Sequence, residues 1–187
     1  AFIDLCRKRY DVVLMNPPYG DATERVKRIL NITYARTRGN IYAAFIERAS
    51  HLLHKRGMCG ALTERMWAFQ PTFRHLREQI IFSSFPPVVF LDLMFGVLDE
   101  AFNRTAAYVL INDYSSCVGV NFIDLRRVYD KEQALREVFS ETFYRHPACC
   151  VRSLERMKRY PGCMLLYSLP PRLEKLFVEA PKVGECV

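Results

Sequence analysis

Long hydrophobic runs are missing from this sequence of 187 residues, although 50% of its residues are hydrophobic. It contains no stretch of about 18 consecutive apolar residues and no signal-peptide pattern, so we expect neither a membrane span nor export. The apolar content is nevertheless sufficient to bury one sizeable core. Length and composition together predict a single domain or part of one.

A C-x-x-C spacing is also missing. The seven cysteines are an odd number, and some lie inside apolar runs, as Cys59 does. This usage indicates small, reduced, buried thiols, and we expect an intracellular, cytoplasmic protein without a disulfide framework. His51 and His54 lie three residues apart without a second pair of ligands in range, so we expect no metal site.

Acidic residues are fewer than basic ones, 20 Asp and Glu against 27 Lys and Arg, which gives a formal net charge of +7. Such an excess favours a polyanionic partner, and nucleic acid is the natural candidate. Any single basic pair fits a solvated helix end or turn better than a phosphate contact. Only the overall charge therefore supports the hypothesis.

The most informative feature is the tetrapeptide Asn16-Pro17-Pro18-Tyr19, which directly follows the apolar residues 12–15. A short apolar run with charge before it and a Pro-Pro break after it predicts a buried strand of a parallel sheet. In open α/β sheets, ligands bind at the carboxyl ends of such strands. The tetrapeptide is therefore expected to face a substrate.

Its residue types suit the methylation of an exocyclic amine such as N6 of adenine, whose lone pair is delocalised into the ring. The side-chain oxygen of Asn16 and the carbonyl of Pro17 can each accept one N–H and aim the lone pair at a methyl donor. Consecutive prolines, Pro17 and Pro18, stiffen the loop. Tyr19 offers a face on which a base flipped out of the duplex can stack.

Strand and helix patterns alternate along the rest of the chain, which predicts an α/β fold. We expect helices near residues 21–32, 40–53, from Pro71 onward and at 130–139, and strands at residues 57–63, 87–93, 105–111 and 118–125. Residues 95–103 are expected to form a loop.

The tetrapeptide and these segments resemble the S-adenosylmethionine-dependent adenine-N6 DNA methyltransferases, in which Asn-Pro-Pro-Tyr is the catalytic motif. Further stretches of this sequence are similar to the large adenine methylases of bacterial restriction-modification and phage-defence (BREX-type) systems. These stretches are residues 40–49, 56–58, 73–77, 89–93, 105–110 and 166–171. The resemblance implies a Rossmann-like methyltransferase fold, S-adenosylmethionine as cofactor and double-stranded DNA with a flipped adenine as substrate. It also implies catalytic roles for Asn16, Pro17, Pro18 and Tyr19.

One departure concerns the cofactor, because that family holds it at a glycine-rich turn upstream of the catalytic motif. Only 15 residues precede Asn16 here, and the eight glycines include no G-x-G. We therefore expect a partial fold, with residues 1–125 as the second half of the catalytic domain and 126–187 as a helical or extended connector. An N-terminal cofactor-binding half and a C-terminal target-recognition domain would be missing. The isolated chain is then expected to be inactive and to bind the cofactor poorly, although Asn16 can still border it.

Aromatic candidates for the base pocket are Trp67, Phe69 and Tyr108. The first two follow the second predicted strand, at the same sheet edge as Asn16, although packing within the core or loop fits them equally well. The family places an additional stacking aromatic on a later strand, where Tyr108 is the one aromatic residue.

Arginine candidates for phosphate contacts are Arg36, Arg38 and Arg65, for which solvated side chains are the simpler explanation. Asp92 ends a strand, but this chemistry needs no buried general base, so we assign it no role.

Three alternatives stay open. Enzymes that methylate a glutamine side-chain amide share the tetrapeptide, although such a chain would be expected to end soon after its catalytic strands. Methylation of adenine in RNA is equally compatible with the charge. A non-catalytic DNA-binding remnant would explain the missing cofactor half but not the intact Asn16.

Overall fold

The computed structural model of the chain describes residues 2–19, 22–37, 40–97, 103–140 and 145–179. Arg38 and the tail beyond Glu179 lie outside these ranges, so the prediction for Arg38 has no structural counterpart here. No helix in the described ranges is both long enough and apolar enough to cross a membrane.

The described residues build one mixed sheet of six strands. The strands are β1 (Tyr10–Met15), β2 (Leu53–Glu64), β3 (Pro87–Met94), β4 (Thr105–Ile111), β5 (Gly119–Asp124) and β6 (Cys149–Ser153), in the spatial order β1-β2-β4-β3-β5-β6. β1 is parallel to β2 and β3 is parallel to β5, whereas β4 runs antiparallel to β2 and β3, and β6 antiparallel to β5. Strands β1, β2, β3 and β5 therefore end at the same side of the sheet, which we call the carboxyl edge.

The helices of the described residues are α1 (Phe2–Arg7), α2 (Glu24–Thr33), α3 (Ile41–Leu52), α4 (Arg74–Leu76), α5 (Lys131–Ser140), α6 (Leu154–Met157) and α7 (Pro171–Glu179). Two predicted caps are present: the side chain of Asn40 accepts the N–H of Ala43 at 3.0 Å, and that of Asp130 accepts the N–H of Gln133 at 2.9 Å. Each satisfies an amide that has no partner within its helix. The expected alternation of strands and helices up to residue 140 is confirmed.

Strand β1 departs from its prediction, because it is the outermost strand of the sheet and is not buried. Leu14 is 81% exposed and Val12 is 60% exposed. β1 pairs with β2 on one side, and no described strand lies on its other side. The apolar run predicts a buried strand, but burial of such a strand requires neighbours that the described residues do not supply.

The helix predicted from Pro71 onward is interrupted. A 3-10 turn at Pro71–Phe73 leads into α4, and a π-helical turn follows at Arg77–Ile81. The π turn begins at Arg77, whose fully buried guanidinium donates to the carbonyls of Trp67 (2.6 Å), Gln70 (2.8 Å) and Gly162 (2.7 Å). Burial lowers the pKa of Arg77 to about 10, so the group is charged at neutral pH. One cation thereby joins the segment that precedes α4 to the turn at Gly162, which is distant in sequence.

The segment after residue 125 takes part in the same sheet and core. β6 pairs with β5 along residues 149–153, and Leu154, Met157 and Tyr167 are buried in the principal hydrophobic cluster. The sequence does not predict β6, since residues 149–153 fall in the expected connector. The proposed division of roles at residue 125 remains a prediction.

Arg77→Met is expected to lower the free energy of unfolding by about 3 kcal/mol or more, because three carbonyls, that of Trp67 in a buried bond, lose a charged donor together. Urea denaturation followed by circular dichroism measures this loss. Arg74→Met is the matched control, since Arg74 is exposed and pairs with Glu78 at the surface. The control should change stability by less than about 0.5 kcal/mol. Similar losses in both variants would contradict the role of Arg77.

Candidate active site

The tetrapeptide stands at the carboxyl edge, immediately after β1. Asn16 and Pro18 are exposed, Pro17 is buried and Tyr19 is half-buried. Met15 pairs with Ala61, so β2 continues for residues 62–64 beyond the end of β1 and runs beside the motif. The buried Pro17 anchors the loop, while the amide of Asn16 stays accessible. This arrangement presents a hydrogen-bonding side chain on a stiff support, as the sequence predicts.

Several hydroxyl groups collect behind the motif. The hydroxyls of Tyr108 and Thr63 lie 3.0 Å apart in the core. The hydroxyls of Tyr19 and Tyr42 are buried and have no hydrogen-bond partner among the described residues. Buried polar groups are almost always paired, so two orphan hydroxyls close to one loop distinguish this region from ordinary core.

The electrostatics of this region favour the neutral phenols. Burial raises the pKa of Tyr19, and the nearby carboxylate of Glu64 raises it further. The same two causes raise the pKa of Tyr42 far above its ordinary value, and burial does so for Tyr108. These tyrosines are therefore hydrogen-bonding groups and not bases at neutral pH.

The structure corrects two of the three aromatic candidates for the base pocket. Trp67 is fully buried, and its ring centroid lies 5.1 Å from that of Tyr108, which is 2% exposed. Phe90 stacks on Tyr108 with centroids 6.1 Å apart. Neither ring has a free face, because each forms part of the packed core behind the motif. Phe69 is partly buried, and its prediction is untested.

Arg65 has a structural partner in place of the predicted phosphate. Its Nε and Nη2 atoms donate to the two carboxylate oxygens of Asp92 at 2.7 and 2.6 Å, and its side chain is 13% exposed. The guanidinium also lies 4.2 Å from the ring centroid of Phe69. Asp92 is fully buried and accepts a further hydrogen bond from Tyr167 at 2.8 Å. A buried carboxylate requires such partners, so the geometry does not support a phosphate contact by Arg65.

Sequence reasoning missed the role of Asp92. The signal available was an acidic residue inside an otherwise apolar strand, which requires a cationic or hydrogen-bonding partner when the strand is buried. Arg36, the remaining described phosphate candidate, is half-exposed, with Nη1 3.9 Å from the carboxylate of the buried Glu47. It is thus at least partly available to a ligand.

Comparison with known proteins agrees with the resemblance that the sequence motifs suggest. Residues 1–85 match the family described as Eco57I restriction-modification methylase. The chain is 30% identical over 81 residues to the adenine-specific methyltransferase PglX of Lacticaseibacillus casei (strain Zhang), covering 42% of this chain and 7% of that protein. It is 24% identical over 187 residues to the adenine-specific methyltransferase BrxX of Escherichia coli O9:H4 (strain HS). This match covers 95% of this chain and 15% of that protein. The expected resemblance is confirmed. The chain spans only a small part of both relatives.

Solved structures agree on the fold. A modification subunit of a putative type I restriction enzyme from Vibrio vulnificus YJ016 matches 82% of this chain and 36% of its own, with a TM-score of 0.62 and 15% identity. A putative class I S-adenosylmethionine-dependent methyltransferase from Listeria monocytogenes matches 71% and 42%, with a TM-score of 0.55 and 14% identity. The described residues thus have a Rossmann-like methyltransferase fold.

Asp92→Ala is expected to lower the free energy of unfolding by about 3–5 kcal/mol, because it leaves the largely buried Arg65 without a counter-charge. Asp124→Ala is the matched control: Asp124 also pairs with an arginine, Arg126, but its side chain is 31% exposed. The control should cost about 1 kcal/mol or less. Chemical denaturation of both variants compares them, and equal losses would contradict the importance of the buried pair.

Tyr42→Phe is expected to raise the free energy of unfolding by about 1 kcal/mol, because it removes a buried hydroxyl without a partner. Tyr108→Phe should lower it by about 1 kcal/mol, since Thr63 then loses one hydrogen-bond partner and keeps only the carbonyl of Glu64. The two substitutions remove the same atom, so opposite signs of the change in the free energy of unfolding distinguish a hydroxyl without a partner from a paired one. Thermal and urea unfolding measure both, and destabilisation by Tyr42→Phe would show that its hydroxyl has a partner.

Proposed function

We propose that this chain is part of a DNA adenine-N6 methyltransferase of a restriction-modification or phage-defence system. The observation that carries the proposal is the exposed Asn16, placed by a rigid Pro-Pro loop at the carboxyl edge of a methyltransferase fold. The family match over residues 1–85, which include the motif, and the sequence likeness to an adenine-specific methyltransferase over 95% of the chain support it.

In the proposed reaction, Asn16 and the backbone carbonyl of Pro17 accept the two N–H groups of the adenine amine. These contacts hold the nitrogen toward tetrahedral geometry and direct its lone pair to the incoming methyl. Tyr19 packs against the base, which leaves the duplex to reach the site.

S-adenosylmethionine supplies an electrophilic methyl group when bound. Among the described residues, the features available to border it are the exposed Asn16 and the outer side of β1, which has no described strand beside it. We propose that Asn16 borders the cofactor and that a further strand pairs with β1 in the complete protein. The support is physical, because an edge strand with Leu14 81% exposed and Val12 60% exposed otherwise leaves apolar surface and backbone groups uncovered.

Double-stranded DNA is the proposed substrate. The net charge of +7 favours a polyanion. Methylation of a glutamine amide in protein and of adenine in RNA would use the same planar-nitrogen chemistry, so the choice between them rests on the sequence likeness and requires a direct measurement.

The proposal predicts that Asn16→Ala abolishes formation of N6-methyladenine in DNA. The rate should fall at least about 10²–10³-fold, the usual cost of removing one such hydrogen-bonding group from an active site. The protein is expressed from the complete gene that encodes this segment. N6-methyladenine in DNA is then quantified by nucleoside mass spectrometry. Asn31→Ala, which alters an exposed asparagine on α2, is the matched control and should retain activity.

Methyl label in RNA or on protein glutamine, with none in DNA, would replace the proposed substrate. Absence of methyl transfer to any acceptor would favour a non-catalytic DNA-binding remnant. Activity that survives Asn16→Ala would refute the role of the motif.

A further inference from the structure

A second polar and aromatic surface lies on the carboxyl edge, away from the catalytic motif. Two adjoining hollows of about 880 and 790 Å³ run between the turn after β3 and helix α5, and they share Gly96, Lys131 and Glu132. We call this surface the α5 trough, and its lining includes Gly96, Val97, Arg127, Tyr129, Lys131 and Phe139. None of these residues takes part in the proposed chemistry.

The trough faces the same side of the molecule as Asn16, because it follows the carboxyl ends of β3 and β5. Strands β2, β4 and β3 separate β5 from β1. Four spacings of about 4.8 Å place the trough roughly 19 Å from the motif along the edge. A duplex rises about 3.4 Å per base pair, so this distance corresponds to roughly five or six base pairs.

Unpaired positive charge lines the trough. Arg127 is exposed and has no carboxylate partner among the described residues, and Lys131 donates to the carbonyl of Val128 at 3.2 Å without forming an ion pair there. The neighbouring Arg126 and Arg136 are bound to Asp124 and Glu132. Two cations therefore remain available to an anionic ligand.

The acidic residues of the trough do not cancel this charge. Asp130 is the N-terminal cap of α5, where its carboxylate accepts the N–H of Gln133, and Glu132 is paired with Arg136 at 2.7 Å. Both carboxylates keep their negative charge. The lining residues nevertheless carry four basic side chains, Arg126, Arg127, Lys131 and Arg136, against these two acidic ones.

Exposed aromatic side chains accompany the free cations. Tyr129 is fully exposed and Phe139 is 74% exposed. Tyr129 lies between Arg127 and Lys131 in sequence, and its solvent-exposed ring contributes nothing to the core. Such a ring suits contact with sugar or base surfaces beside phosphates.

The turn after β3 forms the opposite wall of the trough. Met94 adopts a positive φ of 55° and Gly96 one of 79°, conformations that turn the chain sharply after β3. The hydroxyl of Thr105 donates to the carbonyl of Met94 at 2.7 Å and holds this turn against β4. A positive φ is uncommon for a residue other than glycine, so Met94 is a specific feature of this turn, whereas Gly96 adopts such a φ without steric cost.

We propose that the α5 trough seats the sugar-phosphate backbone of the DNA duplex flanking the target adenine. Arg127 and Lys131 contact phosphates, and Tyr129 packs against the adjoining sugar. The inference rests on the proposed function for the choice of DNA, and it adds a docking surface about half a helical turn from the flipped base.

The test is binding of the protein expressed from its complete gene to a fluorescent 24-base-pair duplex, followed by anisotropy over a series of salt concentrations. The double variant Arg127→Gln with Lys131→Gln should bind at least tenfold more weakly at low salt. Its slope of log K against log salt should be shallower by about 1.8, since each phosphate contact contributes about 0.9. Tyr129→Ala should weaken binding without changing the slope.

The control double variant is Arg7→Gln with Lys55→Gln, which removes the same charge from exposed residues at the opposite edge of the sheet. It should retain the wild-type slope. Equal slopes for the wild type and the trough variant, equal losses in trough and control variants, or no DNA binding by the wild type would each overturn the proposal. Light scattering could instead show that the wild type is a dimer and that Phe139→Ser is not. If the DNA affinity of that variant is unchanged, the trough is a self-association surface and the proposal is wrong. No step of this test requires methyl transfer, so a failure here is distinguishable from a failure of the catalytic assignment.

Discussion

The buried carboxylate of Asp92 is the constraint on which the carboxyl edge depends. A charge inside the sheet is tolerated only with close, well-directed partners, since its desolvation costs several kcal/mol. Arg65 comes from the end of β2, Tyr167 from the C-terminal segment, and Arg126, 3.8 Å away, from the turn after β5. Because one carboxylate requires all of them, segments distant in sequence are held in register at this edge.

Three parts of the carboxyl edge differ in physical character. At β1, the stiff motif exposes Asn16 while Pro17 anchors it. Behind the motif, neutral phenols occupy buried positions, and two hydroxyls lack partners among the described residues. Beyond β5, positive charge and exposed aromatic rings line the α5 trough. The chemistry proposed for the motif and the docking proposed for the trough therefore use separate surfaces joined by the Asp92 network.

The sequence predicted the elements best where local patterns and long-range packing agree. β3, β4 and β5 lie within a residue or two of the expected ranges, and Asn40 and Asp130 cap their helices as expected. β6 was missed because its burial alternates only weakly and its strand character comes from pairing with β5. Trp67, Tyr108 and Arg65 were placed near the right edge but given the wrong surroundings. Their residue types do not reveal whether a side chain points toward the core or toward a ligand.

By itself, the sequence determined the α/β class, the position of Asn16-Pro17-Pro18-Tyr19 after a strand, and the likeness to adenine methylases, because apolar periodicity and a rigid motif are local properties of the chain. Only the tertiary structure decided that β1 lies at the edge of the described sheet and that Arg65 serves Asp92. It also brought Arg127, Tyr129 and Lys131 beside the turn after β3. Those outcomes depend on strand order and on the cost of burying charge, which involve residues far apart in sequence.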